Sequence, residues 1–93
     1  MIESFRHKGL SELFEYGKTS RLPQERLKKL QMILSVLEAA HEPKDLNVPA
    51  FRLHKLKKPP LDGCYSIDVN GNYRVVFRFE EGMASEVDYL DTH

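Results

Sequence analysis

The chain has 93 residues, of which 41% are hydrophobic and 30% charged, as expected for a globular protein with one modest core. Fourteen basic residues balance fourteen acidic ones, which excludes an overall positive field that would attract nucleic acid without help. No apolar run reaches the roughly 18 residues of a membrane span, and a lone cysteine excludes an internal disulfide. We therefore expect a single cytoplasmic domain, residues 1–93, without a signal peptide and without membrane association.

The first half of the chain predicts two helices. Apolar residues recur at the i, i+3, i+4 spacing of a short amphipathic helix over residues 8–16, and Gly17 marks its end. A longer helix is predicted from Pro23 to Ala40, because apolar residues follow one face for about five turns. A short opening strand over residues 2–6 is also expected.

The second half predicts β-structure. Residues 51–56 alternate between the two faces of a strand, and a loop with a proline pair follows over residues 57–63. Residues 64–69 and 73–80 predict a hairpin, and residues 84–90 a last strand. The fold class is therefore α+β, with two N-terminal helices packed on a twisted antiparallel β-sheet.

The register of the hairpin can be argued from its side chains. A two-residue turn at Asn70-Gly71 is the usual structure for that pair, but it would set the apolar Ile67 opposite Arg74. A three-residue loop, 70–72, instead sets Ile67 opposite Val75 and gathers the apolar side chains on one face. The predicted buried face consists of Tyr65, Ile67, Val69, Tyr73, Val75, Phe77 and Phe79. The predicted polar face carries Ser66, Asp68, Arg74 and Arg78.

Positive charge is concentrated in residues 51–58, where one histidine and four cations occupy eight positions. Histidine as a residue type titrates near neutral pH, so the residue at position 54, His54, would suit proton transfer at a phosphodiester, whereas the alternative is a surface histidine without a role. The four cations are Arg52, Lys55, Lys57 and Lys58. The lysines among them could stabilise a phosphorane, or they could be solvated side chains that protect a strand edge.

Two arginines in the predicted strand over residues 73–80 also have both a functional and a structural interpretation. The planar fork of Arg74 or Arg78 can bind two phosphate oxygens, whereas the alternative is a cross-strand ion pair with Asp68 or Glu86.

The chain ends in Asp91-Thr92-His93. A terminal carboxylate beside His93 favours the imidazolium and would suit a general acid, whereas the alternative is a frayed tail. Cys64 lacks a partner pattern and is expected to be a buried structural thiol. We find no glycine-rich phosphate loop, zinc spacing or serine nucleophile motif, so neither cofactor nor metal is expected.

The order of these motifs along nearly the whole chain resembles the HigB toxins of the RelE/ParE superfamily, also described as plasmid maintenance killer proteins. The fold that this superfamily implies agrees with the one predicted from periodicity. The motifs that carry the resemblance are Ile2-Glu3-Ser4-Phe5-Arg6-His7-Lys8-Gly9-Leu10, Leu53-His54, Leu56-Lys57, Tyr65-Ser66-Ile67, Asn72-Tyr73-Arg74-Val75, Asp91 and His93.

The resemblance implies an mRNA interferase, an endoribonuclease that cuts mRNA in the ribosomal A site without a metal and so inhibits translation. In this class the 2′-hydroxyl attacks the adjacent phosphate and leaves a 2′,3′-cyclic phosphate and a 5′-hydroxyl. The implied partners are the ribosome with its mRNA and a HigA-type helix-turn-helix antitoxin. Contact with operator DNA would occur only through that antitoxin.

Matched position by position, the resemblance implies proton transfer by His54 and His93, charge stabilisation by Arg74 and Lys57, and orientation of a histidine by Asp91. Which histidine is the base and which the acid stays open at this point. The expected substrate-binding residues are Arg52, Lys55, Lys58, Asn72 and Arg78.

Two features depart from the family pattern. Many members have tyrosine where this chain has Thr92, and threonine can neither stack on a base nor act as a comparable acid. Members are also often basic, whereas this chain is neutral, so RNA delivery by the ribosome becomes more important. These departures leave one alternative, a non-catalytic interaction module that keeps the fold and binds an antitoxin. Poisoning of gyrase, as by ParE-type relatives, is disfavoured because those proteins lack the histidine-bearing site.

Overall fold

A computed structural model describes residues 1–91, in which two α-helices precede a four-stranded antiparallel sheet of order β1-β2-β3-β4. The elements are α1 (Lys8–Tyr16), α2 (Leu27–Ala39), β1 (His54–Lys55), β2 (Tyr65–Asn70), β3 (Tyr73–Glu80) and β4 (Met83–Asp91). Short 3₁₀ turns cover Gln24–Arg26, Pro43–Leu46 and Pro49–Phe51. The α+β class is thus confirmed. Within residues 1–91, no helix has the length and apolarity needed to cross a bilayer.

Both helices form where the apolar spacing predicts them, with one shifted start. In α1, the Nδ1 of His7 accepts the N–H of Leu10 (3.3 Å) at the beginning, and Gly17 ends the helix in the left-handed region at φ 71°. The second helix was predicted from Pro23, but the structure has a 3₁₀ turn there, and the α-helix begins at Leu27.

The hairpin has the predicted register but a different turn. Tyr65 pairs with Phe77 and Ile67 with Val75, as the burial argument requires. However, Asn70 pairs with Tyr73, so only two residues form the turn. A bulge between Asp68 and Asn70 takes up the extra residue and keeps the apolar face continuous.

The predicted strand over residues 51–56 is wrong at its beginning. Phe51 closes a 3₁₀ turn through its N–H to the carbonyl of Val48 (2.8 Å) and is fully buried. Arg52 then takes a left-handed conformation, φ 49°, which no extended strand can include. Only His54 and Lys55 pair with β2, so β1 is a short edge strand held by a buried aromatic anchor.

The opening segment, predicted as a strand, makes only two isolated parallel bridges, Ile2 with Ala84 and Phe5 with Val87. It therefore lies along β4 as a partial fifth member at the edge of the sheet.

One hydrophobic core lies between the helices and the sheet. It contains five of the seven residues of the predicted apolar face, and the other two, Tyr65 and Tyr73, are partly buried and pack against it. The other face of the sheet was predicted to carry the polar residues of the hairpin. It also carries the apolar Val76, and both Val76 and Ser66 are buried there. Pro60 and Leu61, from the loop before β2, line a groove together with Val76. His54, on the edge strand β1, is exposed to solvent. The fully buried core side chains include Leu10, Leu30, Ile33, Leu37, Leu46, Phe51, Ile67, Val75 and Val87.

Candidate active site

The structure brings His54 and Arg74 together on the sheet face that points away from the helices. His54 pairs with Ser66 on β2, and two residues further along β2 Asp68 pairs with Arg74 on β3. Directly paired residues share a face, and alternate residues on one strand return to it. The Nη1 of Arg74 lies 3.3 Å from the Nε2 of His54. Two residues that are 20 positions apart in the chain are therefore in direct contact.

The chemistry of this contact fixes the role of the imidazole nitrogen. A guanidinium N–H can only donate, so Nε2 of His54 must accept with its lone pair. The contacting form of His54 is therefore neutral, with its proton on Nδ1. An exposed, neutral imidazole beside a fixed cation presents a basic nitrogen and a phosphate-binding group at one point.

Asp68 joins this pair, and the site prediction did not include it. Its Oδ1 accepts a hydrogen bond from Nη1 of Arg74, and its Oδ2 lies 3.5 Å from Nε of Arg52. From the sequence, Asp68 was expected only as the ion-pair partner in the alternative to a phosphate-binding Arg74. That pair does form, and it coexists with the histidine contact. The cross-strand register, which the sequence predicted, is the signal that could have placed Asp68 in the site.

The three predicted lysines lie at different places relative to His54. Lys55 is on the opposite face of β1, where its Nζ lies 5.4 Å from the centre of the Tyr65 ring. Lys57 and Lys58 are exposed on the loop that follows β1. Backbone hydrogen bonds close this loop, from Leu56 N–H to the carbonyl of Cys64 (2.8 Å) and from Gly63 N–H to the carbonyl of Leu56 (2.9 Å). Residues 55–61 line an open depression of about 480 Å³ on this surface.

The predicted residues Asn72 and Asp91 lie at the same end of the sheet. Asn72 is in the β2–β3 turn, and Asp91 on β4 pairs with Tyr73, whose chain neighbours are Asn72 and Arg74. Strands pair at a spacing of about 4.8 Å, so the end of β4 is next to the arginine that contacts His54. The predicted acid His93, with Thr92, lies outside the described residues.

An aromatic stack supports the end of β4, and the sequence analysis did not identify it. The rings of Tyr73 and Tyr89 stack with centroids 5.4 Å apart, and the guanidinium of Arg26 lies 4.1 Å from the centre of Tyr73. Burial raises the pKa of Tyr89, so this phenol stays protonated. The stack fixes β4 two residues before Asp91. Arg26 precedes α2 in a 3₁₀ turn, and no local pattern indicates that it reaches the sheet.

Arg78 is not brought to the site. It is four residues from Arg74 on β3, which is roughly 13 Å along a strand. Its Nε lies 3.3 Å from a carboxylate oxygen of Glu86, the ion pair that the sequence analysis named as the alternative. Arg78 and Glu86 line a separate groove of about 180 Å³ with Arg6 and Asp88. Cys64 is buried beside this groove, as expected for a structural thiol.

Over residues 1–91, no three histidine, cysteine, aspartate or glutamate side chains are grouped so that they could hold a metal ion.

Comparison with known proteins gives relatives over the full length of the chain. Endoribonuclease HigB of Proteus vulgaris is 40% identical over 93 residues, which is 100% of both chains. Toxin HigB-1 of Vibrio cholerae serotype O1 is 34% identical over 94 residues and covers 100% of this chain and 98% of its own length.

A solved structure has the same fold. A chain of the YoeB-YefM complex from Staphylococcus aureus superposes with a TM-score of 0.55 and covers 97% of this chain and 95% of its own, at 19% identity. The model of the RelE-like toxin of type II toxin-antitoxin system HigB matches residues 3–93. With that match and the full-length relatives, the chain belongs to the HigB-like family of RelE-like toxins.

Proposed function

We propose that this protein is a toxin that inhibits translation by cutting mRNA on the ribosome as an endoribonuclease. The observation that carries the proposal is the 3.3 Å contact between Nη1 of Arg74 and Nε2 of His54 on an exposed sheet face. Such a pair offers a proton acceptor and a phosphate-binding fork at one point. The full-length relative named as an endoribonuclease supports this class of reaction.

The geometry favours His54 as the general base. In the free protein, Nη1 of Arg74 donates to the Nε2 lone pair of His54. When the phosphate of the RNA binds, its oxygens accept from Arg74 instead, and the Nε2 lone pair becomes available to the 2′-hydroxyl. Nε2 accepts the proton of the 2′-hydroxyl as the bond between O2′ and phosphorus forms. The bond between phosphorus and O5′ breaks, and an acid, which we assign to His93, protonates O5′. The products are a 2′,3′-cyclic phosphate and a 5′-hydroxyl.

The remaining residues stabilise charge and hold the RNA. Arg74 and Lys57 neutralise the non-bridging oxygens in the transition state, and Asp91 orients a histidine. Arg52, Lys58 and Asn72 are proposed as RNA contacts around this centre. We leave Lys55 and Arg78 out of the proposed site, because one lies on the opposite face of the sheet and the other pairs with Glu86.

Charge explains why the ribosome is needed. The excess of positive charge is confined to the residues near His54, because the chain as a whole carries fourteen positive and fourteen negative side chains. Binding of free RNA depends on neutralising many phosphates at once, so free mRNA is a poor substrate. A ribosome holds the mRNA in place, so the toxin does not have to bind free RNA and only has to position its catalytic groups at the phosphate that is cut.

We further propose a cytoplasmic location and an antitoxin partner of the HigA type, a helix-turn-helix protein that links the toxin to operator DNA. The family assignment and the toxin–antitoxin complex among the structural relatives support an antitoxin in general.

The test is cleavage of mRNA on programmed ribosomes by the purified protein. His54→Ala is expected to lose about 10² to 10⁴ in rate, the usual contribution of a positioned proton acceptor. His41→Ala is the matched control, because His41 is an exposed histidine in the turn after α2, and it should cut like the wild type. No cleavage by the wild type, together with growth arrest that an antitoxin relieves, would instead support the non-catalytic interaction module.

A further inference from the structure

Asp68 connects the two arginines of the proposed site, and it contacts each of them differently. Its Oδ1 accepts from Nη1 of Arg74, the same nitrogen that lies 3.3 Å from Nε2 of His54. Its Oδ2 lies 3.5 Å from Nε of Arg52. One carboxylate therefore determines where Arg74 points and also attracts a second, separate cation.

The exposure of the side chains shows that Asp68 is shielded from solvent together with Arg74 but not together with Arg52. The Asp68 and Arg74 side chains are only 22% and 26% exposed, whereas Arg52 is 77% exposed. An ion pair with a largely exposed partner contributes little, because water and salt screen it. The shielded pair is also fixed by the direct β2–β3 register of Asp68 and Arg74. Arg74 is thus a held cation, and Arg52 is a cation that can leave for a phosphate at little cost.

We infer that Asp68 is a positioning residue, which anchors Arg74 so that its Nη1 meets His54 and keeps the imidazole in the Nδ1–H tautomer. The tautomer of a histidine is determined by the hydrogen bond that its other nitrogen makes. Here Arg74 supplies that bond, and Asp68 supplies the direction of Arg74. Nε2 is consequently kept as an acceptor before any substrate binds.

The negative charge of Asp68 has a second consequence. Removing it adds one net positive charge beside His54 and releases Arg52, so an anionic substrate is held at least as well as before. The same change removes the carboxylate that directs Nη1 of Arg74 towards His54 and weakens the preference of His54 for one tautomer, so proton transfer slows. Loss of Asp68 therefore lowers kcat without raising KM, a combination that general damage to the site would not produce.

This inference rests on the proposed function for its kinetic part only, since the tautomer exists without any substrate. Its tests use Asp68→Asn, which keeps the shape and removes the charge. The matched control is Glu12→Gln, because Glu12 on α1 is similarly shielded, at 19% exposure, and pairs with Arg21 (2.9 Å) in the segment after that helix. Thermal unfolding of both variants shows whether they remain folded.

The first readout is the long-range ¹H–¹⁵N NMR spectrum of the imidazoles at about pH 8, where free histidine is neutral. His54→Ala identifies the His54 signals among the four histidines of the chain. The wild type and Glu12→Gln should show His54 with its proton on Nδ1, and Asp68→Asn should move that proton largely to Nε2. A wild-type His54 protonated on Nε2 overturns the inference whether or not the variants fold, and so does a tautomer that Asp68→Asn leaves unchanged.

The second readout is cleavage on programmed ribosomes. For Asp68→Asn we expect kcat to fall about tenfold, the usual effect of losing one charge-assisted hydrogen bond, with KM unchanged or lower. An unchanged kcat, or a raised KM, contradicts the positioning role. Absence of cleavage by the wild type would refute the proposed function, while the NMR result would still decide the role of Asp68.

Discussion

The contact between His54 and Arg74 can be measured by a double-mutant cycle. The variants are His54→Ala, Arg74→Lys and the combination of both. Lysine keeps the positive charge that pairs with Asp68, but it lacks the planar guanidinium whose Nη1 contacts both Asp68 and His54. The cycle therefore removes the 3.3 Å contact with little change in net charge.

The expected magnitude follows from the geometry. His54→Ala should cost about 10² to 10⁴ in kcat/KM, and Arg74→Lys about 10 to 10², since a cation remains. Because each residue acts partly through the other, the double variant should lose about fivefold less than the product of the single losses, or about 1 kcal/mol of coupling. In unfolding free energy the coupling should be smaller, about 0.5 kcal/mol, because His54 is exposed.

The assay is initial-rate cleavage of mRNA on programmed ribosomes, with urea unfolding of each variant to confirm that it is folded. Arg78→Lys combined with His54→Ala is the control cycle, because Arg78 is roughly 13 Å further along β3 and pairs with Glu86. Distant sites should be additive within about 0.3 to 0.5 kcal/mol. Equal additivity in both cycles would refute the claim that Arg74 acts through His54.

Two further predictions concern the scaffold of the site. Phe51→Ala should lower the free energy of unfolding by about 3 to 5 kcal/mol, because this fully buried ring anchors the chain before β1, whereas Phe14→Ala, at 38% exposure, should cost about 1 kcal/mol in the same urea titration. The N–H groups of His41 and Glu42 hold the pKa of Asp45 below its ordinary value, so the carboxylate stabilises the fold above about pH 4, and this contribution is lost as the pH falls through the lowered pKa. Asp45→Asn should therefore be less stable than the wild type at neutral pH, and equal stability at pH 7 in thermal unfolding would contradict this account.

The sequence was sufficient to predict the structure at positions where the local pattern and the need for burial agree. Gly17 could be identified as the end of α1 because a left-handed residue there closes the helix, and the structure has it at φ 71°. The pairing of Ile67 with Val75 followed from the need to bury one face of the hairpin. Asn70-Gly71-Asn72 was less predictable, because a bulge and a short turn give the same register as a longer loop.

Where tertiary contacts override local alternation, the prediction was wrong. Residues 51–56 alternate like a strand, but burial of Phe51 and the 3₁₀ turn at Pro49 leave only His54 and Lys55 in the sheet. The register of β2 and β3 was enough to place Asp68 beside Arg74. Nothing in the sequence around Arg26 indicates its position over Tyr73, because that contact joins distant parts of the chain.

In the proposed mechanism, His54 accepts the proton of the 2′-hydroxyl that attacks the phosphate of an mRNA held on the ribosome. The most direct measurement is analysis of the fragment ends after incubation of one mRNA with the purified protein, once on programmed ribosomes and once free in solution. We expect fragments only with ribosomes, ending in a 2′,3′-cyclic phosphate on one side of the cut and a 5′-hydroxyl on the other, and none with His54→Ala. Equal cutting of free mRNA, or fragments with 3′-hydroxyl and 5′-phosphate ends, would contradict the account.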